Sequence, residues 1–167
     1  MTKINSYLIL IRFYNPIGFW LLSWPGLWGL FVSENFNIEN FTIVVLGSFL
    51  TRSLGCAIND FLDKDFDKSV ERTKNRPIAS KELSLSEAGI FIILLASFCI
   101  FLLMQTNPYT IKLVSYIAIP MIILYPLMKR FLAMPQLFLG ATFGLSLPIS
   151  YSIAESTLSL EAVSYTH

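Results

Sequence analysis

Histidine is almost missing from this chain: there is one, His167, and it is the last residue. Chemistry that needs an imidazole base or an imidazole metal ligand therefore has no good candidate. Cysteine is nearly as scarce. Cys56 and Cys99 lie far apart within apolar stretches, form no CxxC pair, and read as small, reduced core residues. Charge is thin too, at 14% of residues with a net of +1, and no basic tract of the kind that marks nucleic-acid binding occurs. Polar faces are also lacking. The stretch "FIILLASFCIFLLM" (residues 91–104) shows none at helical period, which argues against the amphipathic helices of a soluble bundle.

What the chain does have is oil, with 54% apolar residues among 167. Five apolar stretches, 16–32, 41–58, 88–104, 113–128 and 132–153, each approach the roughly 20 residues that cross a bilayer. The predicted fold class is all-α: a polytopic transmembrane helix bundle of about five spans, forming a single membrane domain over residues 1–167. The N-terminal "MTKINSYLILIRFYNPIG" breaks its apolar run at Arg12 and lacks a small-residue cleavage site, so the first span is expected to be retained. No Arg-rich, acid-poor presequence precedes that span, which favours a bacterial inner membrane over a mitochondrial one.

Orientation follows from lysine and arginine. Lys3 and Arg12 precede the first span, Lys64, Lys68, Arg72, Lys74, Arg76 and Lys81 follow the second, and Lys129 and Arg130 follow the fourth. Only Lys112 falls in an opposite loop, and Arg52 lies within a span. The positive-inside rule then puts the N-terminus and the loop at 59–83 in the cytoplasm.

That loop carries the chemistry. "NDFLDKDFDKSVERTKNRP" (residues 59–77) holds five acidic and five basic residues. Asn59, Asp63 and Asp67 recur every four residues, which places them along one face if the second helix continues past the membrane surface. At 100° per residue Arg52 lies within about 20° of that face and some 10 Å deeper. A buried arginine there should face the bundle interior and have an anionic partner. Carboxylates so spaced repel one another unless a cation joins them. Oxygen ligands select hard cations, and Mg²⁺ commonly takes one or two carboxylates plus substrate phosphates. Arg72, Lys74, Arg76, Lys129 and Arg130 could meet the remaining phosphate oxygens. Two blander readings stand beside this one: a solvated mixed-charge loop, and an Arg52–Asn59 contact serving as helix–helix glue. A calcium loop fails, since the sixth place holds Lys68 where Gly is needed and the twelfth Lys74 where Glu is needed. Further on, Ser84 with Glu87 three residues later fits a capping box at a helix start, with Ser86 as a competing cap.

These residues resemble a known family. Asn59, Asp60, Asp63 and Asp67 fill the N-D-x-x-D-x-x-x-D motif of the UbiA superfamily of intramembrane aromatic prenyltransferases. "RTKNRP" (72–77), "RFYNPIG" (12–18), "YPLMKR" (125–130) and "PQLFLGATFGLSLP" (135–148) also match. The last two are similar to the 4-hydroxybenzoate polyprenyltransferase branch, which makes ubiquinone precursors. The resemblance implies Mg²⁺-dependent transfer of a polyprenyl group from its diphosphate to 4-hydroxybenzoate. Asn59, Asp63 and Asp67 would hold Mg²⁺–diphosphate. Lys129, four residues after Tyr125, would contact diphosphate oxygens, with Arg72 and Arg76 helping, and Arg52 would pair with the acceptor's carboxylate. It also implies nine spans and a second aspartate motif. After Asp67 the acidic residues are Glu71, Glu82, Glu87, Glu155 and Glu161, and none forms such a cluster. The match is therefore to the N-terminal half of the family's fold, and turnover by this chain alone is not expected. The alternative is a non-catalytic membrane remnant, or a half-protein that needs a complementary half. A transporter is disfavoured because polar residues gather at the cytoplasmic ends of the spans.

Overall fold

A computed structural model describes residues 2–124 and 135–158, and among them every regular element is a helix. In chain order these are α1 (Lys3–Leu10), α2 (Ile17–Val32), α3 (Ile38–Leu62), α4 (Lys64–Asp67), α5 (Leu85–Met104), α6 (Pro108–Leu124), α7 (Pro135–Gly144) and α8 (Ser146–Glu155). Three stretches are long and apolar enough to cross a membrane: α3, α5, and Gln136–Glu155, which joins most of α7 to α8. The helices α2 and α6 are equally apolar in character but shorter. All five apolar stretches of the sequence are thus helical where described. Their outward side chains are large and greasy, Trp24, Ile93 and Phe101 among them, as a lipid-facing surface requires.

The chain separates into two compact units. The first comprises Met1–Gly18 and Leu50–Ile100. Its core is Leu10, Ala57, Ile78, Leu83, Ala88 and Leu95, with Tyr7, Leu54, Phe61 and Phe91 packed around it. The helix α1 precedes the first apolar stretch, and Arg12, which breaks the N-terminal apolar run in the sequence, marks its end. It stops at Ile11 in a Schellman motif: the Arg12 N–H donates to the Ile9 carbonyl at 3.0 Å and the Phe13 N–H to the Leu8 carbonyl at 2.9 Å. The left-handed position of that motif, normally glycine, is Arg12 at φ 59°. At the start of α5 the capping box forms on Ser84: its N–H donates to Glu87 at 2.9 Å and the Glu87 N–H returns a bond to Ser84 Oγ at 3.2 Å. Lys3 pairs with the same Glu87, fastening α1 to the start of α5.

The second unit comprises Phe19–Phe49 and Phe101–His167. Here α2 and α8 come close at glycine. A Cβ on Gly29 would run into the Leu147 carbonyl oxygen and Ser150 Oγ, the small-residue contact by which membrane helices approach one another. Asn107 caps α6 by accepting from the Thr110 N–H at 2.9 Å and also donates to the Ser152 carbonyl at 2.6 Å. Glu155 accepts from the N–H groups of Glu34 and Asn35, at 2.8 and 3.1 Å, tying the end of α8 to the α2–α3 turn.

Candidate active site

The acidic motif sits at the end of α3, but not on one continuous helix face as its spacing predicts. The helix ends at Leu62. Asp63 bends the chain, with φ −90° and ψ 5°, and opens the single turn of α4. The four-residue steps survive in the backbone, where the Asp63 N–H donates to Asn59 O and the Asp67 N–H to Asp63 O, both at 2.9 Å. The helix itself is interrupted at Asp63, which takes the bridge conformation an aspartate between two helical turns adopts readily. Asn59 and Asp63 are half-buried, and Asp67 is buried.

The arginines organise the rest. Asp60, 1% exposed, accepts two bonds from Arg12 Nη2, at 2.7 and 2.9 Å, and one from Arg76 Nη1 at 2.9 Å. The same Arg76 Nη1 donates to Asp67 at 2.8 Å. Four side chains drawn from the α1–α2 turn, α3, α4 and the following loop thus form one alternating chain, Arg12–Asp60–Arg76–Asp67. Burying Asp60 this deeply is tolerable only because two guanidinium groups flank it. Thr73, also buried, pins the loop by donating to the Asp67 carbonyl at 3.1 Å. Sequence reasoning passed over Asp60 and Arg12 as site residues. Both stood within the quoted motifs, but 48 positions separate them, and nothing in local spacing joins them.

Beside this chain lies a cleft of about 530 Å³ lined by Arg12, Arg72, Arg76, Tyr14, Asn15 and Asn75, among others. Arg72 is exposed and makes no ion pair among the described residues, so its charge is available to an anion. Arg52 departs from expectation in one respect: among the described residues it has no anionic partner within ion-pair range. Its guanidinium packs instead against Gly18, where a Cβ would come within 2.6 Å of Cζ. Glycine in the "RFYNPIG" stretch makes room for that guanidinium. Asp65, between the motif aspartates, is exposed and accepts from Lys68 at 2.9 Å. That bond, with Lys64 adding to it, holds its carboxyl below the usual range. Tyr125 and Lys129 lie outside the described residues.

No group of three or more His, Cys, Asp or Glu side chains gathers closely enough to hold a metal ion among the described residues. The donors at hand are the two carboxylates of Asp63 and Asp67 and the Asn59 amide. As an all-oxygen set they fit a hard divalent cation that keeps waters or phosphate oxygens for its other positions.

An acidic–guanidinium cluster at the end of a helix long and apolar enough to cross a membrane, beside an arginine-lined cleft, defines a polytopic helical membrane protein. Comparison with known proteins makes this specific. The model of the UbiA prenyltransferase family matches residues 22–166, and the chain belongs to that family. It is 41% identical over 162 residues to a 4-hydroxybenzoate octaprenyltransferase of Polynucleobacter asymbioticus, covering 96% of this chain and 56% of the relative. It is 43% identical over 159 residues to the protein of that name in Pasteurella multocida, covering 93% and 54%. The chain therefore spans about half the length of these curated relatives. Among solved structures, the fold resembles a digeranylgeranylglyceryl phosphate synthase, with a TM-score of 0.81 and 24% identity over 99% of this chain and 58% of that one. It also resembles a UbiA homolog from Archaeoglobus fulgidus bound to GPP and Mg²⁺, with a TM-score of 0.76 and 19% identity over 96% and 58%.

Proposed function

We propose that the chain carries the diphosphate-binding part of an enzyme that transfers a polyprenyl group from polyprenyl diphosphate to 4-hydroxybenzoate, a step toward ubiquinone. The observation that carries this reading is the cluster at the end of α3, where motif carboxylates meet guanidinium groups beside a cationic cleft. The names of the relatives supply the substrate class. Residues 1–167 form one membrane domain of a bacterial inner membrane in this reading, with 59–83 a cytoplasmic loop and the N-terminus on the cytoplasmic side.

In this scheme Asn59, Asp63 and Asp67 would hold Mg²⁺, which would supply positive charge against that building on the leaving diphosphate. Arg72, Arg76 and Lys129 donate to the diphosphate oxygens, with Tyr125 beside Lys129. Their stabilisation grows as the C–O bond to the prenyl group breaks and negative charge moves onto the diphosphate. The allylic cation left behind is attacked by the ring carbon ortho to the phenol hydroxyl, and that carbon then loses its proton to an oxygen of the departed diphosphate, which restores the aromatic ring. No covalent enzyme intermediate is needed. Arg52 orients the acceptor by pairing with its carboxylate, a role supported by the lack of an anionic partner for it among the described residues and by its seat against Gly18.

The test is Mg²⁺-dependent prenyl transfer to 4-hydroxybenzoate in membranes carrying this chain, alone and with the remaining portion of the Polynucleobacter relative co-expressed. Transfer that disappears in Asp63→Ala without loss of membrane insertion supports the reading. Transfer that persists removes Asp63 from the site. Silence under both conditions, from inserted protein, favours a non-catalytic remnant.

A further inference from the structure

The alternating chain Arg12–Asp60–Arg76–Asp67 has two unequal ends. At the buried end Asp60, 1% exposed, keeps two bonds from Arg12 even without Arg76. At the other end Asp67, 10% exposed, meets Arg76 through one 2.8 Å contact to Nη1. Arg76 therefore serves two carboxylates through a single nitrogen while its guanidinium lines the cleft with Arg72 and Asn75. Resting on the function proposed above, we infer that Arg76 is an exchangeable counter-ion. It neutralises Asp67 while that carboxylate carries no metal, and it turns to the diphosphate once a divalent cation takes its place.

The electrostatics require a choice. A divalent cation on the Asp67 carboxylate would stand a few ångströms from a guanidinium already bonded to the same group, and like charges at that distance in a part-buried site repel strongly. Asp67 cannot satisfy both. Asp60 keeps hold of Arg76 through its own bond, so the guanidinium leaves Asp67 by a small rotation toward the cleft. There the metal-bound diphosphate supplies the anion that Asp67 no longer offers. The exchange makes metal alone a poor ligand and metal with diphosphate a good one. Arg76 acts through Asp67 as a positioning residue before it touches substrate. The competing reading is that Arg76 only pins the loop at 68–83 to the end of α3.

The experiment uses the purified chain in detergent, with Mn²⁺ as the probe (free-ion EPR signal) and inorganic pyrophosphate as the second ligand. In Arg76→Gln, Mn²⁺ alone is expected to bind about three- to five-fold more tightly, the scale of losing one partly exposed ion-pair competitor. Binding of Mn²⁺ with pyrophosphate is expected to weaken about ten-fold, the scale of one charge-assisted hydrogen bond. Arg76→Lys keeps the charge and should stay near the parent in both. Unchanged Mn²⁺ affinity in Arg76→Gln overturns the exchange. So does parallel weakening of both ligands with a lower melting temperature, which marks a structural pin. If Asp63→Asn leaves the parent's Mn²⁺ binding intact, the metal assignment of the motif has failed, and the exchange falls with it for that separate reason.

Discussion

Truncating Asp60 to alanine removes the one group that two guanidiniums share. In the folded chain its carboxylate is 1% exposed and accepts three bonds at 2.7–2.9 Å. Removing one partner of a buried ion pair typically costs about 3–5 kcal/mol, because the other charge is left uncompensated. Here the survivors are less isolated: Arg12 and Arg76 have side chains 22% and 23% exposed, so water reaches both, and Asp67 still holds Arg76. A loss of about 2–4 kcal/mol follows from that discount. For a chain of 167 residues this is a fall in melting temperature of about 4–16 °C. Cys56 reports it directly, being buried four residues upstream on the same helix. In a Cys99→Ala background it is the sole remaining thiol, and a fluorogenic thiol reagent in detergent reads unfolding as its exposure. Asp60→Asn, which keeps an acceptor oxygen but not the charge, should fall between parent and Asp60→Ala. Asp65→Ala, which removes only an exposed partner of Lys68 and Lys64, should melt with the parent. If Asp60→Ala melts within about 2 °C of the parent, the buried chain contributes under 1 kcal/mol and the argument fails.

Arg12 occupies a left-handed position that glycine fills without strain, so Arg12→Gly should be about 1 kcal/mol more stable than Arg12→Ala although both lose the Asp60 contact; equal melting temperatures would mean the strain is not held there. Ser84→Ala should cost about 1 kcal/mol and speed amide exchange over the first turn of α5, and unchanged exchange would remove the capping box from the stability of that helix. Gly18→Ala drives a methyl into the end of a flexible arginine and should leave folding intact while raising KM for the aromatic acid. A change confined to the prenyl donor would displace Arg52 from the acceptor site. Gly29→Ala meets the Leu147 backbone instead, which cannot rotate away, so it should lower thermal stability more than Gly18→Ala does; the reverse order would refute the close α2–α8 approach.

The helical elements were readable because hydropathy is a local property. The stretches at 41–58 and 88–104 are so apolar that nothing in the packing contradicts them, and Ser84 and Glu87 announce the start of α5 by spacing alone. The break at Asp63 was not readable. A four-residue recurrence is compatible with one long helix, and the break accompanies a contact of Asp67 with Arg76, nine residues on, that local spacing does not announce. The left-handed turn that ends α1 was hidden similarly, since its residue is arginine where a reader looks for glycine. Arg52 and Gly18 were each visible in a motif. Their contact was not, because it exists only once α3 and the start of α2 are folded together.

The order of Arg12, Asp60 and Arg76 along the chain bears on how the protein is made. A carboxylate at the end of an apolar helix is expensive to insert without a counter-charge. The ribosome delivers Arg12 before Asp60 emerges, so the carboxylate's first guanidinium partner already exists when α3 is made. Arg76 follows 16 residues after Asp60, when the first pair can already be in place. On that order the second cation meets a carboxylate that already has one partner. A variant lacking Arg12 should therefore insert less efficiently than one lacking Arg76, and the fraction that does insert should still fold well enough for its melting temperature to be read.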